Sequence, residues 1–187
     1  MSHGHGHADH GDHGGSNKRI ALLISVMALV LAFAETLGKS AQTAAVAANI
    51  DALNLWNFFQ AKTIRQTVLR TAAEQTALLN SSDSSKKQIE AWRKTAERYQ
   101  SEPETGEGRD QLAARAKAAE KKRVTLTAAY HHYETASAAV QIAIVMASAS
   151  IITGMVALIW VSAGLGAVAI AFCIIGYYFP TAVHLFG

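Results

Sequence analysis

The sequence predicts an all-α membrane protein: three transmembrane helices, with a long antiparallel, coiled-coil-like helical hairpin between the first and the second. Three observations lead there. Half of the 187 residues are hydrophobic and only 17% are charged, below the quarter usual for soluble domains. The two kinds of residue are segregated: apolar residues gather in Ile20–Ala34 and Ala136–Phe186, whereas 15 of the 17 Lys and Arg lie between Lys39 and Arg123. Between the apolar blocks, helical spacing persists with few breakers.

Residues 1–17, MSHGHGHADHGDHGGSN, have no periodicity and are read as a disordered Gly- and His-rich tail. Its His3, His5, His7, His10 and His13 form a flexible imidazole set open to adventitious Zn, Cu or Ni. Ordering a glycine-rich chain around an ion costs entropy, so a passive tail is the simpler account. No resident cofactor is expected.

Residues 18–39 make the first span. The stretch LVLAFAETLGKSAQ (Leu29–Gln42) decides its character. A phosphate-binding loop needs G-x-x-x-x-G-K-[ST], but Phe33 stands where the first glycine belongs. A signal-peptide reading has Lys18 and Arg19, an apolar run and the small-x-small site Ala32-Phe33-Ala34. Against cleavage, no helix breaker precedes that site and helical spacing continues beyond it. The favoured reading is a helix that leaves the bilayer without ending.

Residues 40–135 are read as the soluble helical hairpin. Its outgoing helix, Ala41–Leu79, carries an apolar stripe of Val46, Ile50, Leu53, Ala61, Ile64, Val68 and Ala72, interrupted by Asn57. The break is placed at residues 80–85 (NSSDSS), where Ser and Asp suit a new N-cap. A short helix follows, with Ile89, Trp92, Ala96 and Tyr99 on one face, then a loop at 101–108 holding Pro103, Gly106 and Gly108. From Arg109 a heptad runs through Leu112, Ala116, Ala119, Arg123, Leu126, Tyr130, Tyr133, Ser137 and Val140. The stripe and this seam are expected to face each other.

Residues 136–161 form the second span and 164–186 the third, with SAGLG (Ser162–Gly166) as the turn. Trp160, Tyr177 and Tyr178 fit an interfacial aromatic belt. Ser150 and Gly154, four apart, are expected to let another helix approach the second span closely. The single cysteine, Cys173, lies in an apolar run and excludes an intrachain disulfide.

The polar residues at or within the spans are Glu35, Lys39, Gln141 and Ser148. Hairpin symmetry sets Glu35 at the depth of Gln141 and Lys39 near Glu134. Acids inside spans either snorkel to headgroups or handle ions. His131 and Glu134 share a helix face as an i,i+3 pair. The basic residues at Lys39, Lys117, Lys121, Lys122 and Arg123 outnumber Lys18 and Arg19 on the other side. That places the hairpin in the cytoplasm and the N-terminus in the periplasm.

The segment NIDALNLWNFFQAKTIRQTVLRTAAE (Asn49–Glu74), above all LWNFFQAKTIRQ (Leu55–Gln66) following ETLGKSAQT (Glu35–Thr43), resembles a bacterial family known as domain of unknown function 4337. The resemblance covers about residues 18–186. It implies a small inner-membrane protein with uncleaved spans and a helical insert, and no established activity.

Read from the residues, Trp56, Phe58 and Phe59 lie about 25 Å beyond the membrane end of a continuous helix. They must pack within the hairpin or on a partner chain. No acid–base pair, activated nucleophile or nucleotide loop is legible, so no enzyme is expected. A net charge of +3 with interleaved signs speaks against nucleic acid. Beside the lipid bilayer, the expected partner is a second copy or another membrane protein, and the leading expectation is a structural or scaffolding module. The alternative is an ion pathway, or a transport component resembling the minimal membrane protein insertases. Such insertases carry a basic residue within the membrane groove, whereas the formal charge inside the spans here is Glu35.

Overall fold

The computed structural model describes residues 13–80 and 82–182, with side chains from Asn17 onward. It is all-helical: α1 (His13–Leu79), α2 (Asp83–Gln100), α3 (Arg109–Thr153) and α4 (Val156–Tyr178). Three of these, α1, α3 and α4, are long and apolar enough to cross a membrane. The chain divides into two compact units, one built from residues up to Gln42 and from Thr127 on, the other from Thr43–Leu126.

α1 passes through Glu35, Gly38 and Lys39 without a break. Its buried positions explain why it stays helical over such a length. Ile20, Met27, Ala34 and Ala41 are buried and recur every seven residues, and Ala45, Ala48 and Ala52 continue at spacings of four, three and four. A 3.5-residue period keeps one face turned to a neighbour along a long helix. Alanine combines high helix propensity with a small side chain.

In the first unit, that face of α1 meets α3 and α4. Met27, Ala34, Ala136, Val140, Ala143 and Ala169 form one buried cluster. Ala41, Ala129 and Tyr133 form a second. A Cβ on Gly38 would sit 3.4 Å from the Tyr133 Cβ, so α1 and α3 lie close here. Buried Ser162 donates its Oγ hydrogen to the Ala143 carbonyl at 2.8 Å, tying α4 to α3. The outer surface is apolar: Leu22, Val26, Leu29, Phe33, Val145, Val168 and Ile174 are all exposed, and under a third of each helix's most apolar window is buried. Exposed apolar surface on this scale suits lipid.

The boundaries differ from the sequence reading in three places. The turn between the last two helices is at Gly154–Met155, not at Ser162–Gly166, so the second apolar segment ends at Thr153 and the third runs Val156–Tyr178. Gly154 has φ +70° and its N–H bonds to the Ser150 carbonyl at 2.9 Å, a left-handed helix stop that favours glycine. It is therefore not a packing residue of the second span. The small residues of SAGLG instead lie inside α4, where Ser162 and Gly166 are buried and Gly166 abuts the Met27 side chain. Small residues in a membrane-type helix mark close approach as readily as a turn. At the other end, α4 stops at Tyr178, since Phe179 precedes Pro180 and is pushed out of helical geometry. At the N-terminus, α1 begins at His13, so His13–Asn17 are helical where the tail was expected to continue. A long apolar helix already nucleated downstream extends outward at low cost.

Trp160 and the Tyr177–Tyr178 pair are exposed near opposite ends of α4. Their separation is about 26 Å, close to the thickness of a hydrocarbon core.

In the second unit, α2 starts at the N-cap Ser82, whose side chain accepts from the Ser85 N–H, and it buries Ile89 and Ala96. The largest difference from the sequence reading lies on α1. Val46, Ile50, Leu53, Ile64 and Val68, expected to meet the returning helix, are 51–65% exposed. The buried face is the opposite one, carrying Ala45, Ala48, Ala52, Lys62, Gln66 and Ala73. Two large polar residues in the buried set hide it from a reading that follows hydrophobicity.

Candidate functional site

Two constellations stand out, one in each unit. In the first, about two turns of α1 and two of α3 line an open recess of about 300 Å³. Glu35, Lys39 and Gln42 line it from α1, and Tyr130, Tyr133, Glu134 and Ser137 from α3. Two carboxylates, an ammonium and two phenols thus share one open recess. Lys39 and Glu134 are both among its lining residues. Gln141 lies one turn further, donating to Ser137 Oγ at 3.3 Å. Ser148, about three turns beyond Ser137, is not among the lining residues, and its hydroxyl donates to the Ile144 carbonyl of its own helix at 2.8 Å. His131 Nδ1 lies 3.5 Å from Glu134 Oε2, the expected i,i+3 pair. The recess has the chemistry to hold a small cation or a polar headgroup.

The second constellation explains the motif LWNFFQAKTIRQ residue by residue. Trp56 donates its indole N–H to Glu120 Oε1 on α3 at 2.8 Å and meets Phe59 edge-on at 5.4 Å. Phe59 in turn underlies the Arg109 guanidinium at 4.9 Å. Phe58 and Tyr99 flank the Lys62 ammonium, 5.3 and 5.6 Å from the ring centres. Lys62 is 5% exposed and pairs with Glu102 at 3.3 Å and Glu107 at 3.6 Å. Gln66 donates to the Ala96 carbonyl at 2.9 Å and to Gln100 Oε1 at 3.2 Å, and accepts from Arg109.

This network closes the turn from α2 into α3 and fastens it to α1. Residues 101–108 contain no regular element, so their position depends on such tethers. Burying an ammonium is costly unless it is paired, and Lys62 has two carboxylates and two ring faces around it. The aromatic block is therefore used inside the unit, with Phe58, at 37% exposure, the most open of the three.

The Lys62 hydrogen bond, aided by the positive charge of Lys62 and Arg98 and by the Thr105 hydroxyl, holds the Glu102 carboxyl below its ordinary value of 4.5 against the opposing effect of desolvation. A depressed carboxyl pKa adds stability above the unfolded value, and this is lost as pH falls through the folded one. Unfolding of the second unit should therefore become easier below about pH 4.5. Urea titrations at neutral and acid pH test this. Glu102→Gln should be less stable at neutral pH and lose that part of the acid sensitivity.

Lys62, Gln66, Gln100, Glu102 and Arg109 were not legible as a site in the sequence. One signal was present: Lys62 and Gln66 continue the heptad phase of Ala45, Ala48 and Ala52. His3, His5, His7 and His10 lie outside the described residues, as does the side chain of His13. Among the described residues, no three His, Cys, Asp or Glu side chains come together as a metal site.

No curated protein and no solved structure gives a significant match to this chain. The family model described as a domain of unknown function (DUF4337) matches residues 16–179, including both constellations and every helix in all or most of its length. The chain belongs to the DUF4337 family.

Proposed function

We propose that this protein is a non-catalytic structural module of the bacterial inner membrane. Three spans hold it in the bilayer, and the unit of residues 43–126 stands in the cytoplasm as an antiparallel α1–α3 hairpin braced by α2, where it associates with copies of itself or with a membrane partner. One observation carries this reading. The second unit fastens Trp56, Phe59, Lys62 and Gln66 against α2 and α3, yet leaves Val46, Ile50, Leu53, Ile64 and Val68 open on one face of α1. Several large aliphatic side chains in a row on a water-facing helix mark an association surface.

Within the second unit, the α1–α3 contacts run in opposite senses along the two helices: Trp56 with Glu120, then Phe59 and Gln66 with Arg109. That order supports the hairpin. Light scattering and crosslinking of the protein purified in mild detergent test association. A species larger than one chain is expected, and a strict monomer at all concentrations would refute it.

The recess at Glu35, Lys39 and Glu134 favours a second reading, an ion pathway assembled by several copies. Ion flux into liposomes should then fall on Glu35→Gln, and unchanged flux would remove Glu35 from that role.

A further inference from the structure

We propose that the exposed face of α1 between Val46 and Val68 is the interface of a parallel, in-register dimer of this chain, with Asn57 paired against its own copy at the centre. The inference deepens the association reading above and rests on it.

The face is directly opposite the packed one. Ala48, Ala52 and Gln66 are buried; at 100° per residue they point away from Asn57 while Ile50 and Ile64 point with it. Among the described residues, the second unit leaves these side chains 51% and 65% exposed. Ile50, Asn57 and Ile64 recur every seven residues, and the second core position of each heptad holds Val46 and Leu53, then Gln60 and Thr67, so the seam is aliphatic toward the membrane and more polar beyond Asn57. Isoleucine at the first core position with leucine at the second favours two parallel strands, and one buried asparagine at the first position fixes register and strand number. Asn57 occupies that position between two isoleucines. The seam spans about 33 Å, roughly three heptads.

The occupant is argued from charge and from the membrane. Of the positions flanking the seam, Asn49, Asn54, Ala61, Thr63 and Val68 carry no charge, and Arg70 at its far end is the exception. An identical copy brings no like-charge clash there, whereas an acidic or basic partner would find little to pair with. Two copies inserted the same way in one bilayer also start α1 from the same side, so their seams run in the same direction. Asn57 lowers the affinity of such a seam but leaves only one alignment in which both amides are satisfied.

Disulfide crosslinking in native membranes tests this, in a Cys173→Ala background. Ile50→Cys and Asn57→Cys should each link to their own copy, while Asp51→Cys and Arg65→Cys, off the seam, should not. Ile50→Asp with Ile64→Asp should weaken the dimer roughly tenfold or more, since each charge would be buried unpaired, while the helical signal is kept. Links at Asp51→Cys or Arg65→Cys in place of the seam positions would overturn the proposed interface but leave association standing. Links between Val46→Cys and Val68→Cys chains, with neither linking to itself, would overturn the parallel arrangement. A monomer with no links at any position would overturn both this inference and the association reading.

Discussion

Replacing Lys62 with alanine is expected to cost the second unit about 2–3 kcal/mol and to lower its thermal midpoint by roughly 10–20 °C. The ammonium is nearly buried between two aromatic rings and two carboxylates, and its methylene stem fills space on the inner face of α1. Alanine removes the stem, both ring contacts and the ammonium that Glu102 and Glu107 share, leaving Glu102 the more exposed Arg98 at 3.7 Å. Lys62→Met keeps the stem and should cost less, which separates packing from charge. Circular dichroism in detergent follows the loss. Because the network fastens residues 101–108, protease cleavage in that loop should speed up in parallel.

The second large effect is expected at Gly108. A Cβ built there falls against the Glu102 backbone nitrogen and the Gln111 side-chain oxygen, and 2.8 Å from the Ser101 Cα. Backbone atoms on the crowded side cannot turn aside as a flexible side chain can, so Gly108→Ala must displace the 101–108 loop. The Glu102 N–H bonds to Gln111 Oε1 at 3.2 Å, and the Glu102 carboxylate holds Lys62, so the shift breaks both. A cost of about 2–3 kcal/mol follows from overpacking with the lost tethers. Gly106→Ala makes a control of different origin. It has open space around its Cβ but φ +68°, so strain alone acts there, and a smaller cost of about 1 kcal/mol is expected. Equal costs at the two glycines would contradict the steric argument.

Much of the architecture was legible because its physics is local. Segregation of apolar from charged residues identified the three long apolar helices. The Leu112–Val140 heptad gave a buried edge of α3 that includes Leu112, Ala116, Tyr133 and Val140. The NSSDSS break at 80–85 and the loop residues Pro103, Gly106 and Gly108 bracket α2, which runs Asp83–Gln100 from the N-cap Ser82. Two misreadings have one root, that a residue type does not state which of its uses applies. Glycine and serine in SAGLG suggest a turn, though small residues also permit close packing. The stripe on α1 was read as the inner face because it is the more hydrophobic one. The inner face is instead alanine with one lysine and one glutamine, and only the partners on α2 and α3 make those polar residues tolerable. Such partners lie 30 to 43 positions away in sequence for Gln66, and no local pattern reports them.

The central claim is that α1 is one helix with lipid around its first part and water around the unit that follows. A nitroxide scan along α1 in liposomes, one label at a time from Leu22 to Leu79, measures it most directly through oxygen and water-soluble relaxant accessibility. A single unbroken helical period is expected throughout, with oxygen contact dominating to about Leu37 and the aqueous relaxant dominating beyond Lys39. A break in the period between Ala34 and Ala45, or aqueous contact all along Leu22–Phe33, would contradict it.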